Sequence, residues 1–170
     1  MRYTIDPERS RVWIEATSSL HPIHTGTAGL EGFVDLELDP SGRVDLRAAV
    51  TGELSLPVRR LTSGHPLEDR ELLKRIDVRR HPTIDGVLQA LEPSGEEGSY
   101  LVSGVVSFRG VSRPHRDTMT IGALDDRTVT LAGSSRFDVR HFGMEPPRVL
   151  LLRVDPEVRV RVEILATTPD

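Results

Sequence analysis

Residues 158–164 read VRVRVEI, a strict alternation of apolar and charged side chains. Successive side chains of a β-strand point to opposite faces of a sheet, so this stretch predicts a half-buried strand. The chain is therefore predicted to be all-β and antiparallel, with about eight strands. The same period of two recurs over residues 12–16, 30–38, 44–50, 84–90, 102–108 and 129–131, and less regularly over residues 111–121.

One segment follows a helical period instead. After Pro66, apolar residues recur at helical spacing, with acidic residues near the start and basic residues near the end, the order that the helix dipole favours. Pro66 suits the first turn of a helix, and Pro82 prevents its continuation. We therefore predict one helix over about residues 66–79, inserted between strands.

The length and composition exclude several classes of protein. A chain of 170 residues with 37% hydrophobic residues fits one globular domain over residues 1–170. The absence of cysteine excludes disulfides and thiolate metal sites, and a net charge of −4 disfavours nucleic acid as a partner. No apolar stretch approaches the roughly 20 residues of a membrane span. With no apolar leader at the start, we expect a cytoplasmic protein.

Glycines interrupt the apolar faces of the predicted strands. Gly32, Gly86, Gly104 and Gly133 each share the parity of the apolar residues in their own strand. A barrel of about eight strands is either filled by side chains or holds one small ligand. The glycines either leave holes that a ligand fills, or mark bulges and bends that let the sheet coil. The pattern leaves both interpretations open.

Five blocks, in this order and spacing, resemble one known family. They are the opening at residues 3–7, the helix exit at residues 77–84, the hairpin at residues 108–114, the tripeptide at residues 142–144 and the closing alternation at residues 157–166. All are similar to the YceI-like family of lipid-binding proteins. The resemblance implies a lipocalin-like barrel around an elongated apolar cavity, often as a homodimer, and no enzymatic activity.

The resemblance also implies a lipophilic ligand, namely a polyisoprenoid, an isoprenoid quinone or a fatty-acyl amide, bound without a cofactor. Such a ligand needs a tube without water. Burial of its chain there contributes about 0.8 kcal/mol of favourable free energy per CH₂ before ordering costs are subtracted. For each candidate residue, the alternative is an ordinary core position. The residues expected to line the tube are Val12, Ile14, Leu36, Ala48, Val102, Gly104, Val106, Phe108, Leu131, Val160 and Val162.

Two alternative functions use the same barrel. In the first, His21 and His24 join His141 to bind a divalent metal at the barrel mouth, as in a metal-binding protein or a metalloenzyme. In the second, side chains fill the core, and the protein is a structural or regulatory subunit. The sequence contains no nucleophile elbow and no phosphate-binding loop, so no motif indicates hydrolysis or nucleotide binding.

Overall fold

The structure is a computed structural model that describes residues 1–146, 148–149 and 152–169. It contains one α-helix, α1 (Pro66–Ile76), and short 3₁₀ turns at Val58–Arg60 and Val139–Phe142. The strands are β1 (Arg2–Ile5), β2 (Arg11–Ser18), β3 (Pro22–Thr27), β4 (Glu31–Asp35), β5 (Thr51–Pro57), β6 (Thr83–Pro93), β7 (Ser99–Phe108), β8 (Val111–Ala123), β9 (Thr128–Asp138), β10 (Arg148–Val149) and β11 (Leu152–Thr167).

The antiparallel strands close into a barrel. β11 pairs with β9 along one edge, and with β2 and then β1 along the other edge. β1 and β2 lie end to end against β11, while β4 pairs with β1 and β3 pairs with β2. Counting each end-to-end pair as one strand gives a closed barrel of eight strands in sequential order. The predicted eight-stranded antiparallel barrel with one helix is confirmed, and closure gives its strands partners on both sides.

Helix α1 lies where the sequence predicts it, between β5 and β6, but it ends at Ile76 instead of residue 79. Asp77 adopts a left-handed conformation with φ of 56°, and its backbone N–H donates to the carbonyl of Leu73. A left-handed residue at this position stops a helix and satisfies its last carbonyls. Within the described ranges, no helix combines the length and the apolar character needed to cross a membrane.

The prediction of a strand over residues 44–50 is wrong. A single bridge between Leu38 and Val44 is the only pairing described in this segment, and the next strand starts at Thr51. Residues 36–50 instead fold across one end of the barrel. Leu36, Val44 and Val50 are buried there, and the backbone N–H of Val44 donates to the Tyr100 hydroxyl at 3.1 Å. We call residues 36–50 the plug.

Beside the plug, the barrel interior is filled by side chains. These residues come from the strand ends that meet the plug, and we call this region the closed half. Burial of so many apolar groups in one cluster makes it the main source of stability. Its buried members are Tyr3, Ile5, Val34, Leu36, Val44, Val50, Tyr100, Ile121, Val129, Leu131 and Ala166.

Candidate functional site: an apolar cavity

The other half of the barrel encloses a cavity of about 330 Å³, and we call this region the cavity half. Ligand pockets in proteins measure roughly 300–1,000 Å³. Inward-facing side chains from nearly all the strands of the barrel form its wall. The aliphatic members on the strands are Val12, Ile14, Ala16, Ile23, Leu54, Leu56, Ile84, Val102, Val106, Val154, Val158, Val160, Val162 and Ile164.

The mouth of the cavity lies opposite the plug and is partly covered. Leu72 and Ile76 of α1 line the cavity from one side, and Phe142 lines it from the 3₁₀ turn after β9. The Phe142 ring meets the Phe108 ring edge to face, with centroids 5.9 Å apart. Aromatic pairs prefer this geometry, so the rim of the mouth is an ordered apolar surface.

Hydrogen bonds from a short loop fix the position of α1 over the mouth. The Asp69 carboxylate, in the first turn of the helix, accepts from the Ser63 backbone N–H and the Thr62 hydroxyl, each at 2.8 Å. Burial alone would raise the pKa of Asp69, but these hydrogen bonds lower it below its ordinary value. A carboxylate in the first turn is also stabilised by the helix dipole. The helix is therefore tied to the barrel at its N-terminus.

Most of the predicted lining residues lie on the wall of this cavity. Val12, Ile14, Val102, Val106, Phe108, Val160 and Val162 all contribute to it. They come from β2, β7 and β11, which are the strands with the most regular alternation. Whether they contact a ligand stays a prediction.

The other predicted lining residues do not form the wall. Leu36 and Leu131 are buried in the closed half, with exposed fractions of 1% and 7%. Ala48 lies in the plug, because residues 44–50 are not a strand. Gly104 lies beside a bulge in β6, and a Cβ built on it would be 2.1 Å from the Val87 carbonyl oxygen. The absent side chain of Gly104 thus permits close approach of two strands and leaves no hole.

The four inward-parity glycines are all closely approached by neighbouring atoms. Gly86 and Gly133 line the cavity, but a Cβ on Gly86 would be 3.1 Å from the Leu54 side chain, and a Cβ on Gly133 would be 2.9 Å from Met119 Cγ. A Cβ on Gly32, as on Gly104, would collide with the neighbouring strand, 2.0 Å from the Glu53 carbonyl oxygen. All four glycines therefore permit close approach, two of backbone and two of a side chain, and none leaves a hole at its Cβ position.

Sequence reasoning missed several wall residues. Ala16, Leu54 and Met119 line the cavity, as do Leu72 and Ile76 of α1. Ala16 continues the parity of Val12 and Ile14, so the alternation of β2 would have found it. The sequence shows the apolar face of α1 but not the surface that it covers.

Polar side chains also line the cavity, and three of them, His115, Asp117 and Ser135, lie on the consecutive strands β8 and β9. The others are Thr25, Ser63, Glu68, Asp69, Asp85 and Asp155. His115 Nε2 lies 3.0 Å from Ser135 Oγ, and the imidazole stacks on Phe137 with centroids 4.6 Å apart. Burial lowers the pKa of His115 below its ordinary value, and the negative charge of Asp117 opposes this shift. The imidazole is therefore mainly neutral at neutral pH.

The histidines of the metal hypothesis do not converge. His24 faces Glu15, with His24 Nδ1 3.4 Å from Glu15 Oε1, and His21 Nδ1 contacts the Pro22 carbonyl at 3.0 Å. His141 lies in the 3₁₀ turn after β9. Among the residues that the structure describes, no group of three or more histidine and carboxylate side chains is placed to hold a metal ion. The hypothesis of a site built from His21, His24 and His141 is wrong.

A closed antiparallel barrel of eight sequential strands, with an apolar cavity open at one end, defines the lipocalin-like class of protein. The family model for the YceI-like domain matches residues 3–166. The chain therefore belongs to the YceI-like family, as the sequence blocks predict.

Solved structures share this fold at low sequence identity. BcnA from Burkholderia cenocepacia is 18% identical, with a TM-score of 0.78 over 96% of this chain and 99% of that one. A polyisoprenoid binding domain from Saccharophagus degradans, implicated in plant cell wall breakdown, is 11% identical, with a TM-score of 0.76 over 98% of each chain. The YceI protein of Campylobacter jejuni is 11% identical, with a TM-score of 0.67 over 87% of this chain and 86% of that one. No match was found among the curated proteins.

Proposed function

We propose that this protein is a non-enzymatic carrier that binds one elongated lipophilic molecule, an isoprenoid or acyl chain, in the barrel interior. The observation that carries the proposal is the cavity of about 330 Å³ with a wall made mainly of aliphatic side chains. Apolar surface of this kind gains free energy when a hydrocarbon chain replaces water. The polyisoprenoid binding domain from Saccharophagus degradans, which has the same fold, supports the choice of an isoprenoid.

The site residues of the proposal are the predicted residues that line the cavity, together with those that the sequence missed. Val102, Val106, Val160 and Val162 would contact the chain along its length, and Phe108 would contact it near the mouth. The alternative of a subunit with a filled core is disfavoured, because side chains fill only the closed half of the barrel. A homodimer remains part of the proposal on the family resemblance.

Native mass spectrometry of the freshly purified protein, followed by solvent extraction, tests the proposal. We expect a lipophilic molecule of discrete mass bound at one per chain, and the same spectra report whether the protein is a dimer. Repeated preparations without bound lipid, together with no binding of added farnesol, would contradict the carrier function. Zinc or iron at one per chain would favour a metalloprotein instead.

A cavity-filling substitution locates the binding site. Val160→Phe places a ring in the middle of the cavity, and we expect farnesol affinity to fall at least about tenfold, a loss of roughly 1.4 kcal/mol. Val87→Phe is the matched control, since Val87 lies on β6 with 44% of its surface exposed outside the barrel. Equal farnesol affinity in the two variants would exclude the barrel interior as the site.

A further inference from the structure

The wall of the cavity has a gap between two consecutive strands. β8 and β9 pair from Ala123 and Val129 only as far as Met119 and Gly133. β8 itself continues to Val111, and it pairs with β7 from Thr120 to Val111. The part of the wall nearest the mouth therefore lacks a described backbone ladder between β8 and β9, and side chains take its place.

Polar side chains meet at this gap on the inner face of the barrel. His115 and Asp117 project from β8 with the same parity as Met119, and Ser135 projects from β9 with the same parity as Gly133. The His115–Ser135 contact of 3.0 Å bridges the two strands where backbone pairing has stopped. The mainly apolar tube thus contains a cluster of polar side chains on two consecutive strands, which we call the polar gap (His115, Asp117 and Ser135).

The polar gap offers hydrogen-bond acceptors to the cavity. Asp117 Oδ1 accepts from the Thr118 backbone N–H at 2.8 Å, and no donor is described for its second oxygen. An ionised carboxylate only accepts hydrogen bonds, while a neutral imidazole and a hydroxyl each donate and accept. A ligand group that donates a hydrogen bond would find its partner here.

No positive side chain on the described cavity wall compensates the charge of Asp117. The wall contains Glu68, Asp69, Asp85 and Asp155 as further acids, and none of its described members is lysine or arginine. Two arginines on neighbouring elements have other partners. Arg75 pairs with Glu71 at 2.8 Å, and Arg140 pairs with Asp138 at 2.7 Å, which holds the pKa of Asp138 at about 2.

Arginines do lie on the outer face of the sheet at the same gap. Arg116, Arg136 and Arg159 line a shallow depression there, together with Ser134 and the three residues of the polar gap. Arg116 pairs with Glu92 at 2.6 Å, and Arg136 pairs with Glu157 at 3.4 Å. By strand parity these side chains point away from the cavity, so an anionic group inside the barrel would meet Asp117 first.

We propose that the polar gap binds the polar end of the ligand, and that the ligand is a long-chain amphiphile with a hydrogen-bond-donating, non-anionic head, such as a hydroxyl, amide or ammonium group. The proposal rests on the proposed carrier function. A carboxylate or phosphate head is rejected because it would approach the like charge of Asp117 on a wall without a described lysine or arginine, and like charges repel. A donor head satisfies the free oxygen of Asp117, and the apolar chain extends toward the closed half.

A series of ligands with one chain and three heads tests this inference. Dodecanol, dodecylamine and dodecanoate are titrated into the wild-type protein by calorimetry, below their micelle concentrations. We expect the alcohol and the amine to bind, and the carboxylate to bind at least about tenfold more weakly. Equal affinities, or tighter binding of dodecanoate, would overturn the head-group assignment and leave the carrier function intact. Absence of binding by all three ligands would contradict both proposals.

The Asp117→Asn variant tests whether the Asp117 side chain causes the weaker binding of dodecanoate. We expect this variant to bind dodecanoate nearly as well as dodecanol, because the change removes the charge and keeps the size. Asp126→Asn is the matched control, which removes the same charge from an exposed turn at the other end of β8. An unchanged ratio of affinities in Asp117→Asn would overturn the role of the polar gap. If the variant does not fold, the wild-type ligand series still tests the inference, because its outcome depends on no substitution.

Discussion

The closed half and the cavity half of the barrel are built from the same strands but are filled differently. On β8, Ile121 is buried with an exposed fraction of 2%, whereas Met119, two residues away on the same face, borders the cavity. On β11, Ala166 is fully buried, whereas Val160 lines the cavity. Alternation therefore determines which side chains face the interior. It does not determine whether the interior is filled.

The closed half and the cavity half differ because different segments of the chain fill or cover the interior at the two ends of the barrel. The plug brings Leu36, Val44 and Val50 into the closed half, and Tyr3 and Tyr100 add two large rings. The wall of the cavity half includes two glycines, and α1 and the 3₁₀ turn after β9 cover part of its mouth. A close-packed interior requires matching volumes from every side.

The largest expected effect is a difference in stability between two variants, each of which truncates one side chain in one half of the barrel. Ile121→Ala removes packed groups from the closed half, and we expect it to lower the free energy of unfolding by about 2–5 kcal/mol. Met119→Ala removes a similar volume at the cavity edge, where contacts are already incomplete, and we expect a loss below about 1 kcal/mol. Urea unfolding followed by circular dichroism measures both values. Equal losses would show that the cavity half is as tightly packed as the closed half.

A second comparison concerns the two kinds of glycine in the cavity half. Gly104→Ala places a Cβ against the backbone of β6, and we expect a loss of about 1–3 kcal/mol in unfolding free energy. Gly86→Ala meets only the Leu54 side chain, at 3.1 Å, so the wall can adjust at a cost of less than about 1 kcal/mol. Thermal unfolding of the two variants ranks them. A more stable Gly104→Ala than Gly86→Ala would refute the close-approach role of Gly104.

The smallest expected effect is a pH dependence of stability at the polar gap. Burial lowers the pKa of His115 below the value of 6.5 that it has in an unfolded chain, so the unfolded state binds the proton more tightly. Acid therefore favours unfolding, and stability is lost as the pH falls below about 6.5. We expect the melting temperature of the wild type to fall more between neutral and mildly acidic pH than that of His115→Gln.

The control for this measurement is His65→Gln. His65 is exposed beside the N-terminus of α1, so this variant should keep the wild-type pH dependence. An identical pH dependence in His115→Gln and the wild type would mean that His115 is not desolvated in the folded protein.

Much of the wall could be predicted because its signal is local. Val12 and Ile14 on β2, and Val160 and Val162 on β11, lie on the cavity because strand parity fixes the face of each side chain. Residues 44–50 also alternate, so the sequence predicts a strand there, although these residues belong to the plug. Alternation cannot separate a pairing strand from a segment whose apolar residues fill a barrel end.

Other errors arise where the decisive neighbour is far along the chain. Gly86 and Gly104 have the same local pattern, but their roles differ because one faces the Leu54 side chain and the other faces backbone at a bulge. β3 went unrecognised because Pro22–Thr27 carries few apolar residues, and its pairing with β2 is what makes it a strand.

The sequence by itself determined the all-β character, the presence of one helix between strands, the membership of the YceI-like family and the inward face of most strands. These properties follow from the period of side-chain direction and from short motifs, which are local. Only the tertiary structure decided that one half of the barrel is filled while the other encloses a cavity, and that His115, Asp117 and Ser135 meet at one gap in its wall. Filling depends on volumes contributed by residues distant in the chain, and these meet only after the barrel has closed.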